Sequence, residues 1–233
     1  MNHTRVELKT AAKNRLSGNW GLNIVVMLLA VYIPALILGG ITGLLEGCSS
    51  AMSSMESYTA AGVVSGISSL ISVAVGIIVC GPLMIGYDYF SLIFMRGGET
   101  EYLTPYKIAF NNTNFPRFVS TYFMMQLFIF LWSLLLIIPG IVKSFSYAMT
   151  PFILKDHPEM NWKEAITESR RMMDGHKGEL FVLYLSFIGW LILTCLTFGI
   201  LAIYVTPYMQ MTVTDFYRSL KGEDINAFPP YTA

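Results

Sequence analysis

Four apolar stretches long enough to cross a lipid bilayer constrain this 233-residue chain more than any other feature. A helix rises about 1.5 Å per residue, so about 20 residues are needed for ~30 Å of hydrocarbon. Residues 20–45, 63–95, 118–138 and 180–200 reach that length, and 141–154 and 201–217 are shorter or more polar candidates. Only 13% of the residues are charged, about half the usual share of a soluble domain. Too few charges exist to keep this much apolar surface in water, and lipid is the solvent that remains. Fifteen basic residues balance fifteen acidic ones, which gives no case for nucleic acid. The apolar run after Arg15 is too long for the core of a signal peptide and lacks a small-residue cleavage site, so it reads as an uncleaved first span.

The basic residues set the threading. Arg5, Lys9, Lys13 and Arg15 precede the first stretch, and Arg96, Lys107 and Arg117 follow the second. Lys155, Lys163, Arg170, Arg171 and Lys177 lie between 154 and 180, and Arg218 and Lys221 are in the tail. Short cytoplasmic connections carry an excess of Lys and Arg, so these clusters belong on one side. Each pair of clusters then encloses an even number of crossings. The expected fold is all-α: one polytopic membrane domain over residues 1–233, a helical bundle of six transmembrane helices in three hairpins. The second hairpin is expected to turn near Pro139-Gly140 and the third near Phe198-Gly199. Both termini are expected in the cytoplasm of a bacterium, with the bundle in its plasma membrane and Lys143 alone on the outer side.

An internal repeat supports the count. NRLSGNWGL (14–22) before the first hairpin parallels RMMDGHKGE (171–179) before the third, with glycines 18 and 175, and 21 and 178, in register. GPLMIGYDYFSLIFMRGGE from Gly81 parallels TPYMQMTVTDFYRSLKGED from Thr206, aligning Pro82 with Pro207 and Arg96-Gly97 with Lys221-Gly222. The middle hairpin carries a related TPF at 150–152. Each unit reads as a polar juxtamembrane helix, an outward span and a returning span with a proline.

A cytoplasmic helix is expected at about 161–174. Asn161 stands at the N-cap with Glu164 three residues on, the capping-box pattern. Trp162, Ala165, Ile166, Ser169 and Met172/Met173 share a weakly apolar face, with Lys163, Glu164, Glu168 and Arg171 on the polar side. Leu103, Tyr106 and Phe110 form a similar stripe in the preceding cytoplasmic loop. Such amphipathic juxtamembrane helices lie at the headgroup boundary or pack together as a cytoplasmic cap.

The segment PGIVKSFSYAMTPFILKDHPEMNWKEAITESRRMMDGHKGELFVLYLSFIGW (139–190), with LTFGI and the PY…FY ending after it and ELKTAAKNRLSGNW at the N-terminus, resembles domain-of-unknown-function family 975, a group of bacterial integral membrane proteins. The resemblance implies a polytopic membrane protein and brings no catalytic residues with it.

Several residues are candidates for chemistry. Asp88, between Tyr87 and Tyr89 in the second span, is an ionisable group inside the hydrocarbon and hence a functional-site hypothesis. It would bind a cation or relay a proton, or else pair with Lys107 or Arg170. Lys143, with Ser144, Ser146 and Tyr147 nearby, would snorkel to the outer headgroups or line an anion or lipid-phosphate site. Trp162, Lys163, Arg170, Arg171 and Lys177 are the candidate contacts to anionic lipid or a membrane-protein partner. His157 and His176 adjoin carboxylates without metal-ligand spacing, and His3 is expected in a mobile terminus. Cys48, Cys80 and Cys195 are too scattered for a disulfide framework or a zinc site, so no cofactor or metal is expected. The outer loop 47–62 is small, polar and expected to be flexible. The small residues of the second span serve helix packing. No set of convergent acid–base groups points to an enzyme. The expected function is a non-enzymatic scaffold or accessory protein that binds lipid or a membrane partner. The alternative is a small transporter or channel with Asp88 in its pathway, favoured by the proline-broken returning spans. Oligomeric state is left open.

Overall fold

A computed structural model describes residues 3–54 and 58–225, and among these every regular element is helical. Helix α1 (Arg5–Leu16) begins at a capping box in which the Thr4 hydroxyl accepts from the Glu7 amide and Glu7 accepts from the Thr4 amide. The first hairpin rises through α2 (Trp20–Met27), a wide π turn at Leu28–Tyr32 and α3 (Ile33–Ser54). It returns through α4 (Tyr58–Val75), a second wide turn at Gly76–Cys80 and α5 (Gly81–Met95). The second unit is α6 (Thr104–Ala109), α7 (Asn114–Leu135), α8 (Ile137–Tyr147) and α9 (Thr150–Asp156). The third is α10 (Trp162–Met172), α11 (Lys177–Leu185), α12 (Ile188–Leu196) and α13 (Ala202–Leu220). A short helix thus precedes each hairpin, as the repeat requires.

Among the described residues five helical segments are long and apolar enough to cross a membrane: Trp20–Ala51, Gly62–Met95, Asn114–Leu135, Ile137–Asp156 and Lys177–Leu196. The sixth expected span, now α13, is a helix of the right length but is more polar, and it is buried from Met211 to Ser219. The molecule is layered along its length. Toward the termini α13 packs with α1, α5, α9 and α11 around Leu92, Phe118, Phe152, Leu180, Phe216 and Tyr217. A second cluster joins α1, α2, α5 and α13 through Leu16, Met27, Phe90 and Met211. Away from that core, Leu36, Leu44, Leu70, Leu134 and Leu196 are all more than 70% exposed. Apolar side chains on the outside with Thr, Ser and Asp inside invert the arrangement of a soluble domain.

Two expectations need correction. The second hairpin turns at Leu136, whose extended backbone (φ −160°, ψ 141°) breaks the helix. Pro139 instead falls in the first turn of α8, where its missing N–H leaves no broken bond. Gly140 lies so close to α7 that an added Cβ would overlap Ser133. The expected flexible loop 47–62 is helical to Ser54 and again from Tyr58; residues 55–57, with Glu56, lie outside the described residues. His3 Nδ1 lies 3.5 Å from a Glu7 carboxylate oxygen. The third hairpin does turn at Phe198-Gly199, both with positive φ (51° and 87°).

The repeat is visible in the backbone. Gly18 and Gly175 both take positive φ (86° and 80°) just after α1 and α10. Gly97 and Gly222 do the same (83° and 76°) after α5 and α13. There the Gly98 amide donates to the Ile93 carbonyl (2.9 Å) and the Glu223 amide to the Arg218 carbonyl (3.0 Å), the closure that ends a helix on a left-handed residue.

A cationic pocket between α7, α8 and α10

The expected capping box forms: the Asn161 side chain accepts from the Lys163 and Glu164 amides (2.9 and 3.0 Å), and Glu164 accepts from the Asn161 amide (2.9 Å). This fixes where α10 starts and which face it turns inward. Ala165, Ile166, Ser169 and Met173 are buried, and the Ser169 hydroxyl donates to the Ser146 carbonyl of α8 (2.9 Å). The helix packs on α7, α8 and α9 rather than on the other juxtamembrane helices α1 and α6.

That packing leaves a cavity of about 310 Å³ between α10 and the second hairpin. Each helix contributes a stripe spaced by one turn: Phe128 and Trp132 from α7, Lys143 and Tyr147 from α8, and Trp162, Ile166 and Arg170, with Lys163, from α10. Phe128 stands 6.4 Å from both Tyr147 and Trp162, ring centre to ring centre. The Lys143 ammonium sits 4.5 Å above the centre of the Trp132 ring, a cation–π contact. Arg170 and Lys177 lie within electrostatic reach of Lys143. Lys143 therefore shares a cavity with Lys163 and Arg170 of the basic helix α10 rather than standing apart from them.

No carboxylate lines the cavity. Among the described residues Lys143, Lys163 and Arg170 enter no ion pair, whereas Arg96, Lys107, Arg171, Arg218 and Lys221 each do. Arg171 turns away and bonds Glu168 on its own helix (2.6 and 2.9 Å), which holds the Glu168 carboxyl below its ordinary pKa. Five of the sequence candidates, Lys143, Tyr147, Trp162, Lys163 and Arg170, thus meet in one place, with Lys177 nearby and Arg171 apart. The sequence reasoning missed Phe128 and Trp132. The two stand one turn apart, but α7 also carries Phe115, Phe118, Tyr122, Phe123 and Phe130, so nothing in the sequence singles this pair out.

Asp88 and Tyr87 lie elsewhere, between α5 and α13. Asp88 pairs with neither Lys107 nor Arg170; its Oδ1 accepts from Gln210 Nε2 (2.6 Å). Ser91 Oγ is 2.9 Å from Thr214 Oγ1, and Gln210 Nε2 reaches Ser91 Oγ at 3.4 Å. Tyr87 is buried with its hydroxyl unpartnered. Lys107 pairs with Glu101. His157 and His176 bond Glu159 and Glu179 (3.1 and 2.9 Å).

A third polar cluster was not foreseen. Asp156, at the end of α9, accepts from Arg96 through both guanidinium arms, from the Tyr217 hydroxyl (2.7 Å) and from Lys221 (2.6 Å). Glu223 accepts from Arg96 and Arg218 (3.2 Å each), and buried Arg218 donates to Asp215 (2.7 Å). Burial pushes the Glu223 carboxyl up, but the bonds from Arg96 and Arg218 outweigh it and hold its pKa below the ordinary value. This cluster ties together the ends of all three returning arms, and the two residues aligned by the repeat, Arg96 and Lys221, grip the same carboxylate.

No curated protein and no solved structure matches the chain. Residues 134–224, which hold α8 to α13 and most of the pocket, match the family model described as "Protein of unknown function (DUF975)", so over this segment the chain is similar to that family.

Proposed function

We propose that this chain is a non-enzymatic membrane protein, a scaffold or accessory component, that holds an anionic lipid in the pocket between α7, α8 and α10. One observation carries the reading: three cations without ion-pair partners among the described residues surround an aromatic-walled cavity that none of the described carboxylates lines. Cations left unpaired beside a bilayer attract the negative charge of headgroups. Tyr and Trp, with apolar bodies and polar tips, suit the level where acyl chains meet water. In this reading the three hairpins are embedded in a bacterial plasma membrane with both termini in the cytoplasm. The concentration of basic residues at the core end of the molecule supports that orientation. The test is lipid retention. Protein purified in mild detergent from vesicles of mixed phosphatidylglycerol and phosphatidylcholine is expected to keep the anionic lipid in excess of the bulk ratio. Lys163→Glu with Arg170→Glu is expected to abolish the excess. A wild-type ratio equal to the bulk overturns the reading.

A second reading, a small transporter with Asp88 in its path, draws support from the polar string of Asp88, Gln210, Ser91 and Thr214 inside the bundle. Ion-dependent uptake into proteoliposomes that Asp88→Asn abolishes would favour it over the lipid-holding role.

A further inference from the structure

The three hairpins differ in how far they rise above the polar helices packed at their feet. These helices serve as depth markers, because charged groups are excluded from the hydrocarbon and held at its aqueous edge. Helix α10 exposes Lys163, Glu164, Arg170 and Arg171. It touches the second hairpin at Phe128 through Trp162 (6.4 Å) and at Ser146 through Ser169 (2.9 Å). From Phe128 the outward arm has seven residues left before α7 ends at Leu135, about 10 Å of helix. On the returning arm ten residues separate Ser146 from the turn at Leu136, about 15 Å. The third hairpin has the same shortfall. Lys9 of α1 donates to the Ser186 carbonyl (2.8 Å) and lies 3.9 Å over the Phe187 ring. Twelve residues lead from Ser186 to Phe198 at the turn, at most about 18 Å. Neither hairpin reaches the ~30 Å of a hydrocarbon core.

Their tips agree with the lengths. Leu134, Leu135, Leu136, Ile137 and Ile138 are 66–75% exposed, and Phe198 is 98% exposed with Leu196 and Ile200 beside it. A hairpin that emerged on the far side would hold these side chains in water as one contiguous apolar patch. The first hairpin is built otherwise. The α6 segment marks its foot: the Tyr106 hydroxyl donates to the Leu29 carbonyl (2.7 Å), and Gly86 backs closely on the Pro105 carbonyl. From residue 29 to the end of α3 at Ser54 are twenty-five residues, about 37 Å. One core thickness above Leu29 the sequence turns polar, at Ser49 and Ser50.

We infer that only the first hairpin crosses the bilayer, and that the second and third are re-entrant, their apolar tips ending among the acyl chains of the leaflet nearest α1 and α10. The partner of these two tips is that leaflet. Six helical arms, four re-entrant and two crossing, then occupy one monolayer and only two the other, so the protein is a one-sided wedge. The inference rests on the membrane reading above but not on the lipid pocket.

The test uses the full-length chain with Cys48, Cys80 and Cys195 replaced by alanine, and single substitutions Ser50→Cys, Leu136→Cys and Phe198→Cys. A membrane-impermeant maleimide is applied to either face of sealed proteoliposomes. Ser50→Cys is expected to react from the face opposite the termini only. Leu136→Cys and Phe198→Cys are expected to react from neither face, and to react fully once detergent is added. With a fluorophore at either tip, quenching is expected to be strongest from lipids spin-labelled near the end of the acyl chain. Reaction of either tip from either face, strongest quenching by headgroup-labelled lipid, or failure of Ser50→Cys to react from the opposite face overturns the inference. Release of the wild-type protein from membranes by alkaline carbonate would instead remove the membrane reading, with the tips' depth then void as well.

Discussion

Two sets of cations in this molecule have opposite surroundings. At the ends of the returning arms Arg96, Arg218 and Lys221 meet Asp156, Asp215 and Glu223 in a closed network. In the pocket Lys143, Lys163 and Arg170 face one another across aromatic rings with no carboxylate among the lining residues. Like charges gathered without counter-ions lower stability modestly, and a partner from outside the chain would reverse that. The first set is internal architecture, holding three hairpins to one foot. The second is spare charge directed outward. Substitutions in the two sets should therefore separate stability from binding.

The largest effect is expected at Asp156, whose side chain is 8% exposed and receives four donated hydrogen bonds. Asp156→Ala leaves Arg96 and Lys221 without this acceptor, and removing one partner from such a site costs on the order of 3 kcal/mol. Thermal unfolding in detergent should show the loss, with no change in which lipid is retained. Gln210→Leu comes next. It strips Asp88 of its amide donor inside the bundle, at about 1–3 kcal/mol, and adding Asp88→Asn is expected to recover part of the loss because no charge is then left unpaired. An unaltered melting midpoint for Gln210→Leu would mean that Asp88 is solvated by water rather than by α13.

The acid side gives a smaller effect. Since Glu223 has a depressed pKa in the folded protein, its contribution is complete above the ordinary glutamate value of 4.5 and is lost as pH falls through the folded value. The expected loss is under about 1 kcal/mol, because the group is partly open to solvent. Glu223→Gln should flatten this part of the stability profile. A wild-type protein that gains stability from pH 5 to pH 3 would contradict the sign.

Local features were legible from the sequence because they depend on residues within a few positions of each other. The Asn161–Glu164 box, the turn at Phe198-Gly199 and the paired glycines 18 and 175 all belong to this class. The pocket was half legible: Lys143 and Tyr147 were recognised, as were Trp162, Lys163 and Arg170, but as two separate groups. Counting basic residues assigns sides to whole connections. It contains no measure of how far a hairpin rises, and so it separates Lys143, about two turns from a tip, from the α10 cations with which it lines one cavity. Asp88 with Gln210 was out of reach for another reason. The two residues are 122 positions apart, and only the register of α5 against α13 brings them together. Asp156 hid in the same way, since nothing near it in the chain announces that Arg96 and Lys221 will converge on it.

The smallest expected effect on stability falls on the pocket, and it is the one that most sharpens the contrast. Lys163 and Arg170 are exposed and have no ion-pair partner among the described residues. Alanine at either position should change the unfolding free energy by no more than about 0.5 kcal/mol, as for surface sites that make no specific contact. Relief of the repulsion among Lys143, Lys163 and Arg170 acts in the stabilising direction, so the sign at low ionic strength should be neutral or positive and should fade as salt is added. Retention of anionic lipid should fall in the same variants. A double-mutant cycle with Asp156→Ala should be additive, because the two sites share no hydrogen-bonding partner. Should Lys163→Ala and Arg170→Ala instead melt the protein as Asp156→Ala does, these cations would be holding α10 in place, and the division between architecture and outward charge would collapse.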